Sequence, residues 1–342
     1  MNENEIFMEM DSLSNKTGLI DFMSRPITYL RVSLTERCNL RCGYCYGSSS
    51  GPEMDRGQLS NREIARLIES FVALGISKVR FTGGEPLLRE GIVDIVTETS
   101  ALDDITLIGL TTNGLRLNRL LPSLIDAGLN RLNVSLDSLN RETFRMITGV
   151  DGFDEVYSGI IEAEKSGVFP LIKINTVVMR GVNDNEICSM AKWALNHKID
   201  IRFIEFMPTH KSGWGTDLFV GEEEIRSKIG IELEEDRISI QNSGPARTFR
   251  FRDYPGRISF ISAVSRGFCN HCNRLRLTAS GRLIGCLFRE KYLDLKDLLN
   301  RGRDPGFLKE RIYRAVVSRE FRRIPGKISI DRFKPSMRRI GG

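Results

Sequence analysis

Between residues 27 and 207 the chain alternates two periodicities, and that alternation limits the folds open to it. Runs of strand length rich in β-branched residues, "ITYLRVSL", "KVRFTG", "ITLIGLTT", "RLNVSLD", "LIKINTVVM" and "IRFIEFM", are separated by stretches of helical period such as "NREIARLIESFVALG" and "NEICSMAKWALNHK". The runs are apolar nearly throughout, which suits strands covered on both faces: a parallel sheet with helices packed over it. Six such β/α units are two fewer than a closed eight-fold barrel needs. The expected fold is therefore α/β, an incomplete (β/α)6 TIM-type barrel, with a doubly wound sheet as the alternative.

After "MPTHKSGWG" the rhythm changes. Residues 221–255 read as one short helix followed by a charged, irregular connection. Residues 257–290 carry cysteines, 293–319 read as helical, and the basic end "REFRRIPGKISIDRFKPSMRRIGG" finishes in two glycines. The expected organisation is an N-terminal segment over 1–24, a partial barrel over 25–220 and a C-terminal region over 221–342.

The first 22 residues are acidic and polar with no apolar signal region, and no apolar run approaches the length of a membrane span. A soluble, cytoplasmic protein is expected. Seven cysteines cannot all pair, and in a reducing compartment clustered thiols point to metal rather than to disulfides. Histidine is scarce, at His197, His210 and His271, which excludes histidine-rich metal sites. A net charge of +6 suits a phosphate-bearing partner without distinguishing nucleotide from nucleic acid.

"TERCNLRCGYC" sets Cys38, Cys42 and Cys45 in a C-x3-C-x2-C pattern. A cubane iron–sulfur cluster normally takes four thiolates, so three would leave one iron open to a ligand that is not protein. Zinc fingers usually present C-x2-C pairs with a distant second pair, a poor fit here. The second group, Cys269, Cys272 and Cys286 in "GFCNHCNRLRLTASGRLIGC", fits by spacing either a structural zinc site completed by His271 or water, or another cluster with an open iron. Cys188, beside Ile187 in an amphipathic stretch, reads as a small buried hydrophobe.

In "FTGGEPLLR", Gly83 and Gly84 follow a strand, where absent side chains let backbone approach a ligand closely. Arg31, Lys78, Arg80 and Lys173 lie inside predicted strands. Charge within apolar strands is costly unless it faces a partner, so a polar barrel lumen is expected.

"CNLRCGYC" and the "GGEP" that follows the second strand resemble the radical S-adenosylmethionine (SAM) enzymes. Over residues 17–342 the chain is similar to one family of that group, the GTP 3′,8-cyclases of molybdenum cofactor synthesis. The resemblance is carried by "YLRVSLTERCNLRCGYC", "KVRFTGGEPLLR", "GLTTNG", "LNVSLDSL", "KINTVVMRGVND", "FIEFMP", "FCNHCNRLRLTASGRLIGCL" and the terminal "IGG". It implies two 4Fe–4S clusters, one on Cys38, Cys42 and Cys45 that binds SAM, the other on Cys269, Cys272 and Cys286 that binds the guanine of GTP. It places Tyr44, Gly84, Ser135 and Met207 at SAM. Arg31, Lys78, Arg80, Thr111, Lys173, Arg274, Leu275 and Arg276 fall to GTP, and Gly341 and Gly342 to a tail that assists turnover. The implied reaction begins with a 5′-deoxyadenosyl radical and yields (8S)-3′,8-cyclo-7,8-dihydroguanosine 5′-triphosphate. A reduced ferredoxin- or flavodoxin-like donor, a downstream cyclic pyranopterin monophosphate synthase and a homodimer are implied partners; membrane and nucleic acid are not.

The chain departs from the family pattern at "YGSSSGPEM" after Cys45 and at "MRRIGG" near the end. Two rivals remain. A peptide-modifying radical SAM maturase usually carries a longer cysteine series toward its C-terminus. A zinc-stabilised, basic nucleic-acid-binding protein accounts for the charge and the second cysteine group, but not for "GGEP" or the first.

Overall fold

The computed structural model describes residues 18–45, 57–207, 215–230, 234–235, 245–266, 272–287, 291–301 and 305–322. Cys269, His210, His271, Gly341, Gly342 and the departures at 46–54 and near the C-terminus lie outside the described residues.

All six expected strands form: β1 (Tyr29–Ser33), β2 (Lys78–Thr82), β3 (Leu107–Thr112), β4 (Arg131–Ser135), β5 (Ile172–Val178) and β6 (Ile199–Glu205). They pair in that order, each parallel to the next. The helices α1 (Asn61–Val72), α2 (Ile92–Ser100), α3 (Leu117–Asp126), α4 (Arg141–Thr148), α5 (Phe153–Lys165) and α6 (Ile187–Asn196) lie between them in the chain. Helix α1 shows why these segments form where they do. Ser60 and Glu63 cap it reciprocally, and Ile64, Leu67, Ile68 and Phe71 recur at helical spacing and are buried.

Along each strand one set of alternate residues joins the main hydrophobic core: Leu30 and Val32, Val79 and Phe81, Leu132 and Val134, Ile172 and Ile174. The other set is largely polar and faces the lumen, with Leu107, Gly109, Val177 and Ile204 as its apolar members. Arg31 sits level with Arg80 on one side and Arg276 on the other, and Asn133 sits level with Lys173. A two-residue period therefore sorts apolar from charged residues onto opposite faces.

The C-terminal region differs from its sequence reading. It contains α7 (Glu222–Ile229), β7 (Glu234–Glu235), β8 (Arg247–Arg250), β9 (Arg257–Ile261), β10 (Arg274–Leu277), β11 (Arg282–Ile284), β12 (Tyr292–Asp294), α8 (Leu295–Asn300) and α9 (Pro305–Val317). Strand β9 runs parallel beside β6, and β10 runs parallel beside β1. The six expected strands are thus flanked by two more, so the parallel stretch is β10-β1-β2-β3-β4-β5-β6-β9, with antiparallel pairs outside it. Among the described strands no pairing joins the two ends. These strands are short, and Arg257, Arg274 and Arg276 break up their apolar pattern, which is why 257–290 reads from sequence only as a cysteine-bearing stretch. Cys188 also differs from its reading: it is half-buried rather than buried.

Candidate active site

The first cysteine loop leaves the C-terminal end of β1 and folds back over the barrel mouth. The Arg41 and Gly43 amides donate to Thr148 O and Ile147 O at the end of α4, and the Cys45 amide closes a turn onto Cys42 O at 2.9 Å. The three thiols are half-buried on one cavity. Thr82, Gly83 and Gly84 line it from β2, Thr111 and Asn113 from β3, Ser135 and Asp137 from β4, Asn175 from β5 and Met207 beyond β6. Every one sits at or beyond the C-terminal half of its strand, the end at which barrel enzymes carry their chemistry.

Gly83 and Gly84 make room, as expected, but for the cysteine loop itself. The Gly84 and Glu85 amides donate to Thr35 O and Arg37 O, both at 2.7 Å. A Cβ on Gly83 would lie 2.4 Å from Thr35 O, and one on Gly84 would lie 2.2 Å from Arg37 O. Glu85 extends the link to β3, accepting from the Thr112 hydroxyl and the Asn113 amide at 2.7 Å each. Asn113 reaches back to Cys38, with Nδ2 3.7 Å from Sγ.

The site favours a bound cation. Burial pushes the Cys42 thiol well above its ordinary range, and Asp137, Cys45 and Cys38 push it further, so three thiolates can coexist there only beside positive charge. Asp137 is raised to about 6 by burial, and it accepts from the Tyr44 hydroxyl at 2.7 Å. Tyr44 is thereby held protonated with its ring beside the cysteines. Three thiols lining one cavity are the donor set an iron–sulfur cluster with one open position takes, although among the described residues no three ligand side chains are gathered tightly enough to hold a single metal ion.

Below the cavity the lumen is lined with cations. Arg31, Lys78, Arg80, Arg131, Lys173, Arg202, Arg274 and Arg276 occupy its strand positions, and Asp200 is the acidic residue among the paired positions on that face. Arg202 donates to Asp200 Oδ2 from Nε and Nη2 at 2.9 and 2.8 Å, and Ser259 donates to Oδ1. Tyr29 accepts from Arg80 Nε, whose Nη1 donates to Leu110 O at 3.0 Å.

Crowding shows in the acidities. Arg202, then burial, bring Lys173 down to about 7. Burial, then Arg274, bring Arg276 to about 10. Burial raises the Tyr29 phenol, but Arg80, Arg31 and Arg274 more than offset it, leaving a net lowering. Thr111 Oγ1, Ser33 Oγ and Asn133 Oδ1 are buried with no hydrogen-bond partner among the described residues. Buried polar atoms normally have partners. A lumen in which cations outnumber acidic residues and which holds orphaned polar atoms fits a polyanionic, hydrogen-bonding ligand.

Of the second cysteine group, Cys272 and Cys286 are described, and both act on Arg276. Cys272 is brought down to about 7: burial raises it, while Arg274 and Arg322 lower it. A thiol that ionises this readily is a competent metal ligand. Leu275 differs from the other residues expected at GTP. Its side chain is fully buried in the main core, on the opposite face of β10 from Arg274 and Arg276.

Arg131, Arg202, Asp200, Tyr29 and Asn133 face the same lumen and were not singled out from sequence. The signal existed for Arg131 and Arg202, which are charges inside predicted strands just as Lys173 is.

Comparison with known proteins agrees with this layout. A family profile described as Radical SAM superfamily matches residues 32–194, and one described as Molybdenum Cofactor Synthesis C matches residues 199–323. A GTP 3′,8-cyclase of Thermodesulfovibrio yellowstonii is 42% identical over 299 residues, 86% of this chain and 92% of that protein. That of Geobacter sulfurreducens is 41% identical over 327 residues, 95% and 99% of the two. Molybdenum cofactor biosynthesis protein 1 of Homo sapiens is 41% identical over 318 residues, which make up 92% of this chain and 50% of the human protein. Among solved structures, Streptococcus suis SuiB superposes with a TM-score of 0.60 over 88% of this chain and 70% of its own; at 14% identity the likeness is one of fold. On these sequence relationships the chain belongs to the GTP 3′,8-cyclase family of radical SAM enzymes.

Proposed function

We propose that this chain carries out the family reaction, GTP to (8S)-3′,8-cyclo-7,8-dihydroguanosine 5′-triphosphate, the first step of molybdenum cofactor synthesis. The observation that carries the reading is the stacking of two chemistries in one barrel. Three thiols sit at the C-terminal rim, and a cation-lined lumen lies directly beneath them.

Cys38, Cys42 and Cys45 would hold a 4Fe–4S cluster with SAM, with Tyr44, Gly84, Ser135 and Met207 around it. Cys269, Cys272 and Cys286 would hold a second cluster facing guanine. When bound, the first cluster and SAM supply a 5′-deoxyadenosyl radical that removes the 3′ hydrogen of GTP. The residues of the chain bind and orient. Arg31, Arg80, Arg202, Arg274 and Arg276 offer guanidinium forks to the triphosphate, and Lys78 and Lys173 add ammonium charge. Thr111 lies where cavity and lumen meet, its hydroxyl without a hydrogen-bond partner among the described residues, and is suited to bridge the two ligands. Leu275 contributes from the core, by fixing β10. Gly341 and Gly342 are assigned an assisting role in turnover on family grounds alone.

A low-potential reductant of ferredoxin or flavodoxin type, a downstream cyclic pyranopterin monophosphate synthase, a homodimeric state and a cytoplasmic location belong to the same proposal. Among the described residues no helix is long and apolar enough to cross a membrane.

The test is anaerobic reconstitution followed by incubation with dithionite, SAM and GTP. About eight irons per chain, the content of two cubane clusters, and 5′-deoxyadenosine formed only when GTP is present are expected. Zinc without iron would defeat the reading outright. Cleavage of SAM indifferent to GTP would defeat the substrate assignment alone.

A further inference from the structure

Arg322 closes the described part of the chain and exposes only 2% of its surface. A guanidinium withdrawn that far from water is costly unless its donors are met. Its Nη1 donates to Arg274 O at 2.8 Å and Nη2 to Cys272 O at 2.6 Å, while Nε lies 2.8 Å from Asp21 Oδ2 as an ion pair without hydrogen-bond geometry. Asp21 is itself buried and fixed by its own turn. Its Oδ1 accepts from the Met23 and Arg25 amides, and its Oδ2 from Arg25 Nε.

Asn273, between the two carbonyls that Arg322 grips, is held from the other side. Its carbonyl accepts from the Thr28 and Tyr29 amides, and its side-chain amide donates to Thr28 Oγ1 at 3.1 Å. Cys272, Asn273 and Arg274 are therefore each fixed by segments some 250 or 50 residues away in the chain. This short run aims one thiol of the second cysteine group and the first lumen arginine of β10. A well-packed apolar contact would secure the strand equally well. What the ion cluster adds is a fixed backbone at the point where β10 begins.

We propose that Arg322, oriented by Asp21, is a positioning residue that holds the Cys272 backbone where the second metal centre assembles. The inference rests on the reading that Cys272 ligates that centre. Arg322 holds the two carbonyls that flank Asn273, and its charge also lies close enough to lower the Cys272 thiol. Selective loss of the second centre therefore distinguishes this role from a general contribution to folding.

The test compares wild type, Cys272→Ala, Arg322→Gln and Arg322→Lys after parallel anaerobic reconstitution. The readouts are iron per chain, the electron paramagnetic resonance of the reduced protein with and without SAM or GTP, and melting temperature. About eight irons are expected for wild type and about four for Cys272→Ala. Arg322→Gln should also fall to about four, losing the GTP-sensitive signal and keeping the SAM-sensitive one. Arg322→Lys keeps a charge for Asp21 but no fork for two carbonyls, and should fall between. Full iron and an intact GTP-sensitive signal in Arg322→Gln would overturn the proposal, as would proportional loss of both signals. If Arg322→Gln does not fold, Arg322→Lys decides by the same criterion. Wild type holding only about four irons would remove the second centre, and this proposal with it, before any variant is compared.

Discussion

The cavity around Cys38, Cys42 and Cys45 and the cation-lined lumen beneath it share the same strands, but different stretches of chain complete them. The rim is assembled largely from short contiguous segments, 35–45, 82–86 and 111–113, each at or just past the end of the strand that carries it. The lumen draws one residue at a time from eight strands, two of which arrive only after residue 256. The rim is backbone against backbone, with little tolerance for added atoms. The lumen is side chain against side chain, with long flexible groups that can yield. Local geometry should therefore dominate the effect of changes at the rim, and charge should dominate in the lumen.

The sharpest contrast comes from removing one thiol from each region. Cys42→Ala should abolish reductive SAM cleavage altogether and take about four irons with it. Cys272→Ala should lose a similar amount of iron yet still cleave SAM, now without dependence on GTP. Iron and 5′-deoxyadenosine assays with and without GTP read both. Equal loss of SAM cleavage in the two variants would erase the distinction between the regions.

Next in size is Gly84→Ala. The added Cβ would stand 2.2 Å from Arg37 O, and neither partner is a side chain that can swing away. Overpacking of this kind costs about 3 kcal/mol, and here it acts on the loop that presents Cys38. The variant should fail to hold iron at the first site while the lumen still binds GTP, as judged by equilibrium dialysis with SAM omitted. Retention of full iron would show that the loop relaxes away from the turn.

This difference also decides what the sequence made legible. The rim was readable because its cysteines, its glycine pair and its strand ends are adjacent in the chain. All six strands were readable for the same reason: each is a local run with the right period. The lumen was only half readable. Arg31, Lys78, Arg80 and Lys173 stood out as charges inside strands, and the same physical test selects Arg131 and Arg202 once it is applied to every strand. Tyr29 and Asn133 could not be found that way, because neither is charged; their role depends on which neighbours the register brings level. Strands β9 and β10 were hidden because both are short and open on an arginine, and in β10 the alternation of Arg274 and Arg276 makes a lumen-facing strand look like a polar loop. Gly83 and Gly84 show a subtler gap: sequence indicated a close approach, and only the fold reveals that the approaching backbone is the chain's own.

In the lumen, charge should show as linkage to pH. Lys173, facing Arg202, Asp200, Arg80 and Arg131, is brought down to about 7. Between that value and the ordinary lysine value of 10.5, the unfolded chain carries a proton that the folded, ligand-free chain does not. Stability of the free protein through this group therefore rises with pH across that window. A bound triphosphate reverses the balance by restoring the ammonium. GTP binding near pH 8, above the titration of the terminal phosphate and below that of guanine N1, should take up close to one proton. Affinity should weaken by up to about tenfold per pH unit. Calorimetric titration in buffers of different ionisation enthalpy measures the uptake. No uptake at pH 8.5 would mean that Lys173 stays charged without ligand and that the lumen is less crowded than its geometry indicates.

The smallest effect is the one that most directly tests how the lumen is packed. Gly109 interrupts the polar face of β3, level with Arg80 and Arg131. A Cβ there would lie 2.7 Å from both Cζ and Nη2 of Arg80, so the missing side chain is the space in which that guanidinium lies. Unlike the turn at Gly84, the obstructed group is the far end of a flexible chain and can rotate aside. The displacement costs about 0.5–1.5 kcal/mol, equivalent to roughly a two- to tenfold rise in KM for GTP. The rim is untouched, so kcat should hold, and so should iron content and SAM cleavage. The decisive control is Gly109→Ala in an Arg80→Ala background. With no guanidinium to displace, the second substitution should be silent, because two changes that act through one contact are not additive. A KM effect of the same size in both backgrounds would show that Gly109 serves the strand rather than Arg80, and the comparison between a rigid rim and a yielding lumen would then fail at this position.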